Sequence, residues 1–97
     1  VNYLKQPIFR SNAWLRAVAS LPCQSCGIEG STQAAHRNEG KGMGMKVDDC
    51  LTAALCVECH SRIDQDGDMT RVERRHALDT AILKTLVQLA RNGMVKV

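Results

Sequence analysis

The chain has 97 residues, a length that predicts one domain and a core small enough to profit from a metal or disulfide staple. Apolar residues make up 44% of it and aromatics only 3%, which leaves packing to aliphatic side chains and argues against an aromatic platform for stacking bases. No run approaches the roughly 18 apolar residues of a membrane span, and no basic-then-apolar leader opens the chain. A cytoplasmic protein with no membrane partner is the expectation. The formal charge of +3 is too small to decide on nucleic acid, so the placement of charges must.

Pro7 discourages helix at Gln6, and residues 1–10 read as an extended lead-in. Ser11 or Asn12 caps a short helix over Ala13–Ser20, with Trp14, Leu15, Val18 and Leu21 as its apolar stripe, and Pro22 ends it. Cys23-Gln-Ser-Cys26-Gly27 follows as a tight knuckle. Thr32–His36 reads as a strand, residues 40–46 as a glycine-studded loop, Leu51–Leu55 as a second strand, and Cys56–Asp64 as the opening of a helix. Asp66-Gly67-Asp68 is a turn. Beyond it Thr70-x-x-Glu73 has the capping-box pattern and Gly93 supplies the stop. Val72, Ala77, Leu78, Ala81, Ile82, Leu86, Leu89 and Ala90 recur between them at helical spacing, which predicts a helix of about 22 residues and roughly 33 Å. That helix would roof the core, and it is long enough to offer a homodimer face. His76, within it, reads as partly buried, and Arg71, Arg74 and Arg75 as a solvated or DNA-flanking cluster.

Five cysteines without an export signal fit metal ligation plus one spare thiol better than a disulfide framework. Cys23-x2-Cys26 and Cys56-x2-Cys59 are two knuckles, and each can set two sulfurs about 3.7 Å apart, as two vertices of a tetrahedron with Zn–S near 2.3 Å require. Four thiolates close the coordination sphere, so the site is expected to be structural zinc, whose binding free energy becomes folding free energy. Disulfides, redox thiols and an iron–sulfur centre are the other readings, since thiolates alone do not choose between Zn and Fe. Cys50 is left over and reads as a buried small hydrophobe. The order of knuckle, hairpin and helix resembles a treble clef, which makes the fold class α+β.

A four-thiolate site needs no histidine, yet His60 follows the fourth cysteine directly and His36 precedes the glycine loop. His60 and Asp64 stand at i and i+4, so on a helix both project from one face and could share a cation, or form a plain surface pair. With Leu55-Cys56-Val57-Glu58-Cys59-His60 closing the pattern, the sequence resembles the HNH nuclease superfamily, and within it the small lambdoid-prophage proteins of the YbcO-like group. The matching residues are Ala35-His36-Arg37-Asn38, Gly40-Lys41-Gly42-Met43-Gly44, Lys46, Asp49, Leu55–His60 and Ile63-Asp64. They lie within residues 22–67, the expected zinc knuckle and ββα core, with residues 70–93 as the C-terminal helix.

The resemblance implies a role for each of these residues. His36 would be the general base, His60 and Asp64 the ligands of a catalytic divalent cation (Mg2+ or Mn2+, with Zn2+ or Ni2+ as others), and the products would carry 3′-hydroxyl and 5′-phosphate ends. The chain departs from the superfamily at Ala35, where a metal-ligating Asp or His is frequent, and at Leu51, where the central Asn falls. Asp49 could stand in as a ligand or orient His36 through Nδ1, and Asn38 could serve instead.

Arg37, Lys41 and Lys46 surround the glycine loop and Arg62 lies near the proposed cation, so backbone contacts to DNA, duplex or branched and without sequence preference, are expected from these four. The expected function is a divalent-metal-dependent DNA endonuclease acting in phage recombination or DNA processing, with recombination proteins as possible partners. The alternatives are a zinc-stabilised DNA-binding module without chemistry, and an adaptor that works through its long helix.

Overall fold

The computed structural model describes residues 8–37, 47–65 and 67–94. The glycine loop with Asn38, Lys41 and Lys46, and the lead-in up to Pro7, fall outside these. The elements run α1 (Asn12–Ala19), β1 (Thr32–His36), β2 (Thr52–Cys56), α2 (Val57–Gln65) and α3 (Arg71–Arg91), a small α+β arrangement of three helices about a two-stranded sheet.

The local signals in the sequence act as expected. Ser11 caps α1, its Oγ accepting the Trp14 N–H at 3.0 Å. The Cys23 knuckle turns on Gly27, whose φ of +83° suits a residue without a Cβ and whose N–H closes onto the Cys23 carbonyl at 2.8 Å. Thr70 and Glu73 form a complete capping box on α3, each side chain accepting the other's backbone N–H.

β1 and β2 pair antiparallel, Thr32 opposite Cys56 and His36 opposite Thr52, and the Arg37 N–H to the Leu51 carbonyl continues the ladder. β2 starts at Thr52 rather than Leu51 and takes in Cys56, which therefore ends a strand instead of opening a helix. Leu51, in the turn before it, is 38% exposed.

Side chains alternate across the sheet, so each face has its own core. Ala35, Ala53 and Leu55 pack with Cys59 and Ile63 of α2 and with Leu78, Ala81 and Ile82 of α3. Ala34 and Ala54 pack on the other face with Val18 of α1, Leu21 and Leu89. β2 is buried at all five positions, which explains why it reads Thr-Ala-Ala-Leu-Cys without polar alternation. Its outer edge is sealed at Ala54, whose N–H donates to Thr85 Oγ1 at 2.9 Å and whose carbonyl accepts the Gln24 N–H at 2.8 Å.

α3 departs from its apolar pattern at both ends. Val72 is 71% exposed and Ala90 and His76 are also exposed, because α3 meets the sheet only from Leu78 to Leu89. Leu83, Val87 and Met94 lie exposed as well. Among the described residues no helix is long and apolar enough to cross a membrane.

Candidate metal centre and histidine sites

The two knuckles meet. One ligand atom from each of Cys23, Cys26, Cys56 and Cys59 lies within 4.8 Å of the others, and Cys26 Sγ and Cys56 Sγ are 3.7 Å apart, close to the edge of a tetrahedral ZnS4 unit. The topology explains the meeting, since Cys23 and Cys26 come from the knuckle, Cys56 from the end of β2 and Cys59 from the first turn of α2. Backbone N–H groups already point at the sulfurs, from Ser25 and Cys26 to Cys23 at 3.4 and 3.5 Å and from Cys59 to Cys56 at 3.4 Å. Such donors favour thiolate and orient it toward a cation.

Burial would raise the Cys23 thiol, but hydrogen bonds from Cys56, Cys26 and Ser25 outweigh it and bring the group down to about 6. Cys59 goes the other way, pushed up to about 12 by burial and by the neighbouring Cys56 sulfur. A quartet whose members oppose one another's ionisation is the donor set that a divalent metal such as zinc satisfies. Cys50 stands apart, half-buried rather than buried.

His36, the last residue of β1, has Nε2 at 2.9 Å from Asp49 Oδ1. Of the roles the sequence left open for Asp49, the contact is the one with His36, and it is made through Nε2 rather than Nδ1. Asp49 is 3% exposed and fully engaged. Its Oδ1 also accepts from Arg10 Nη1 at 3.2 Å and its Oδ2 from the Ser11 N–H at 2.8 Å, while its backbone N–H goes to the Phe9 carbonyl. Thr52 Oγ1 donates to its carbonyl at 2.9 Å. The bond with His36, the Ser11 N–H and the Arg10 charge hold the carboxyl below the usual carboxylate range against the effect of burial. An ionised carboxylate only accepts, so a His36 proton is assigned to Nε2, and in the neutral ring the lone pair falls on Nδ1. With its oxygens occupied by Arg10, Ser11 and His36, Asp49 fits an orienting role rather than a ligand.

On α2, His60 Nε2 lies 3.1 Å from Asp64 Oδ2, and His60 Nδ1 lies 2.9 Å from Gln33 Oε1. That separation is an ordinary contact between residues one helical turn apart, the plain surface pairing that the sequence also allowed. Gln33 holds the His60 ring through its other nitrogen. Sequence reasoning missed Gln33, although it shares a strand face with Ala35. It also missed Arg10, for which no motif gives a signal.

The expectation that His36 faces His60 across one gap needs correcting. Gln33 and His36 differ by three positions on β1, and alternation sends them to opposite faces of the sheet. His36 leaves toward Asp49 and the start of α1, while His60 and Asp64 lie on the α2 side. Two of the four residues expected to touch nucleic acid are engaged within the protein. Arg37 forks onto Asp79 of α3, with Nε to Oδ1 at 2.8 Å and Nη2 to Oδ2 at 3.4 Å, and Arg62 Nη2 lies 3.5 Å from Cys59 Sγ.

No curated protein matches the sequence. Among solved structures, the fold is similar to that of a chain described as a bacteriophage protein from Escherichia coli str. K-12 substr. MG1655, with a TM-score of 0.61 and 17% identity over 81% of this chain and 98% of the other. A family model matches residues 2–92, nearly the whole length, and on that match the chain belongs to DUF968, a family described as proteins of unknown function.

Proposed function

We propose that the protein is a divalent-metal-dependent DNA endonuclease of the HNH type, on a treble-clef ββα scaffold stapled by zinc at Cys23, Cys26, Cys56 and Cys59. The observation that carries this reading is the His36–Asp49 pair, an imidazole 30% exposed at its side chain and held by a buried carboxylate. Asp49 fixes the tautomer and leaves Nδ1 as a base, the arrangement that proton abstraction from water needs near neutral pH. His36 Nδ1 takes a proton from water, the water oxygen bonds to phosphorus, and the P–O3′ bond breaks. The ends are a 5′-phosphate and a 3′-hydroxyl, the latter protonated by solvent. A divalent cation on His60 and Asp64 would supply Lewis acidity toward the phosphate and the leaving oxygen. The base and the His60–Asp64 pair lie on opposite faces of β1, so the described geometry does not set them about a single phosphate. The cleavage assay decides whether they act together. A role in phage recombination or DNA processing in a bacterial cytoplasm would follow from DNA as substrate, and the likeness to the Escherichia coli chain bears on the fold alone.

The test is plasmid cleavage in Mg2+ or Mn2+. Nicking that His36→Ala abolishes, with the circular dichroism spectrum retained, supports the reading. Binding without cleavage in any divalent metal favours a zinc-stabilised DNA-binding module without chemistry, a second reading that Ala35 and Leu51 support by occupying positions where the superfamily often has a ligand and its central Asn.

A further inference from the structure

α3 is apolar on two sides. Leu78, Ala81, Ile82 and Leu89 point inward to the two cores. Leu83, Val87 and Ala90 recur at three-and-four spacing on the outward side, which puts them on one face of the helix. Leu83 is 64% and Val87 47% exposed, and Ala90 is exposed as well. Scattered singly, such residues would need no explanation, but Leu83 and Val87 line a groove of about 300 Å³ between α3 and Gln24 of the first knuckle. The Gln24 wall is fixed, since its Nε2 donates to the Pro22 carbonyl and its backbone N–H to the Ala54 carbonyl, both at 2.8 Å. Lys84, Gln88 and Arg91 make the polar rim. No carboxylate stands three or four residues from Lys84 or Arg91, and among the described residues neither makes an ion pair. The acids of α3 itself are taken, Glu73 by the capping box and Asp79 by Arg37.

We infer that this groove docks an amphipathic helix of a partner protein, with apolar residues laid on Leu83 and Val87 and flanking carboxylates facing Lys84 and Arg91. An apolar seam between charged flanks is how one helix receives another, and the sign of the flanks selects the partner. Pairing with α3 of a second copy fits less well, because the copy brings the same cations and no spare acid. A membrane surface also fits less well, since it takes up a raised apolar face and here Gln24 walls the apolar residues into a groove. The inference goes beyond the nuclease reading and stands whether or not the chain cuts DNA.

The experiment is fluorescence anisotropy at low salt, with zinc-loaded full-length protein and two labelled helical peptides of about three heptads. Both carry Leu at the three-and-four spacing; one has Glu at the flanking positions and the other Lys. The wild type should bind the Glu peptide about tenfold or more tightly than the Lys peptide. Leu83→Ser with Val87→Ser should weaken the Glu peptide about tenfold or more, with zinc content and thermal midpoint near wild type. Lys84→Glu with Arg91→Glu should reverse the preference, a gain of binding to the Lys peptide that misfolding cannot mimic. Equal affinity for both peptides, binding to neither, undiminished binding by the Ser protein, or a preference that the charge-reversed protein retains would each overturn the proposal. So would a dimer of the wild type alone, seen by light scattering and dissolved in the Ser protein, which would give the groove to a second copy. Binding to phosphatidylglycerol vesicles that the Ser protein loses, without binding to the Glu peptide, would overturn it in favour of a membrane.

Discussion

Asp49 approaches His36 from the turn before β2, thirteen residues further along the chain, and puts a buried acceptor 2.9 Å behind a half-buried imidazole. The same carboxylate ties down the entry to α1 through the Ser11 N–H and Arg10. A substitution here should therefore show in both activity and stability. Asp49→Asn keeps the shape and loses the charge, and it should cost about 1–3 kcal/mol in urea unfolding.

The pH dependence has a definite sign. Asp49 titrates below its ordinary value in the folded protein, so its contribution is fully present above the unfolded carboxylate range, near 4. It is lost as pH falls through the depressed folded value. Thermal melts between pH 2 and 7 should show the wild type losing stability on this acid limb, and the loss should be smaller in Asp49→Asn.

Cys56→Ser and Asp64→Ala should separate the thiol cluster from the histidine pair. Cys56 closes the quartet from the end of a fully buried strand, so its loss should prevent cooperative folding and reduce bound zinc well below one per chain. If the proposed cleavage holds, Asp64→Ala should lower it while zinc content and thermal midpoint stay near wild type. Equal destabilisation by both would show that the two sites are not separate.

Thr85 has a structural job within α3. Its Oγ1 accepts the Ala54 N–H and donates to the Ala81 carbonyl at 2.7 Å. Thr85→Val, nearly the same in shape, leaves a buried N–H without a partner and should cost about 1–3 kcal/mol. Thr85→Ser should recover most of that, as read by denaturant midpoints.

The apolar positions of α3 should divide sharply. Leu89→Ala removes a side chain that is 1% exposed and should cost about 2–5 kcal/mol. Val72→Gln, at the exposed start of the helix, should stay within about 0.5 kcal/mol of wild type.

That division shows where the sequence was legible. Caps and knuckles rest on neighbours within a few residues, and so Ser11, Gly27 and Thr70 act as their patterns predict. The thiol quartet was legible because two CxxC knuckles leave few other uses for four sulfurs. Val72 continues the helical apolar period, yet periodicity cannot say where along α3 the sheet ends. Gln33 and Arg10 were invisible for a related reason, since their partners depend on which face of a strand, or which loop, a distant residue happens to approach. The pairing of Asp49 with His36 was one of the roles the sequence left open, but the choice of Nε2 depends on ring orientation, which no sequence spacing encodes.

Thr85 and Gln24 seal one flank of the hairpin at Ala54, while among the described residues no strand pairs the outer side of β1. Of the two described strands, β1 is the one through which molecules could meet strand to strand, and a pair formed that way would bury that flank of both. Pairing confined to that flank would stop at two, which works against the endless stacking that turns exposed strands into fibres.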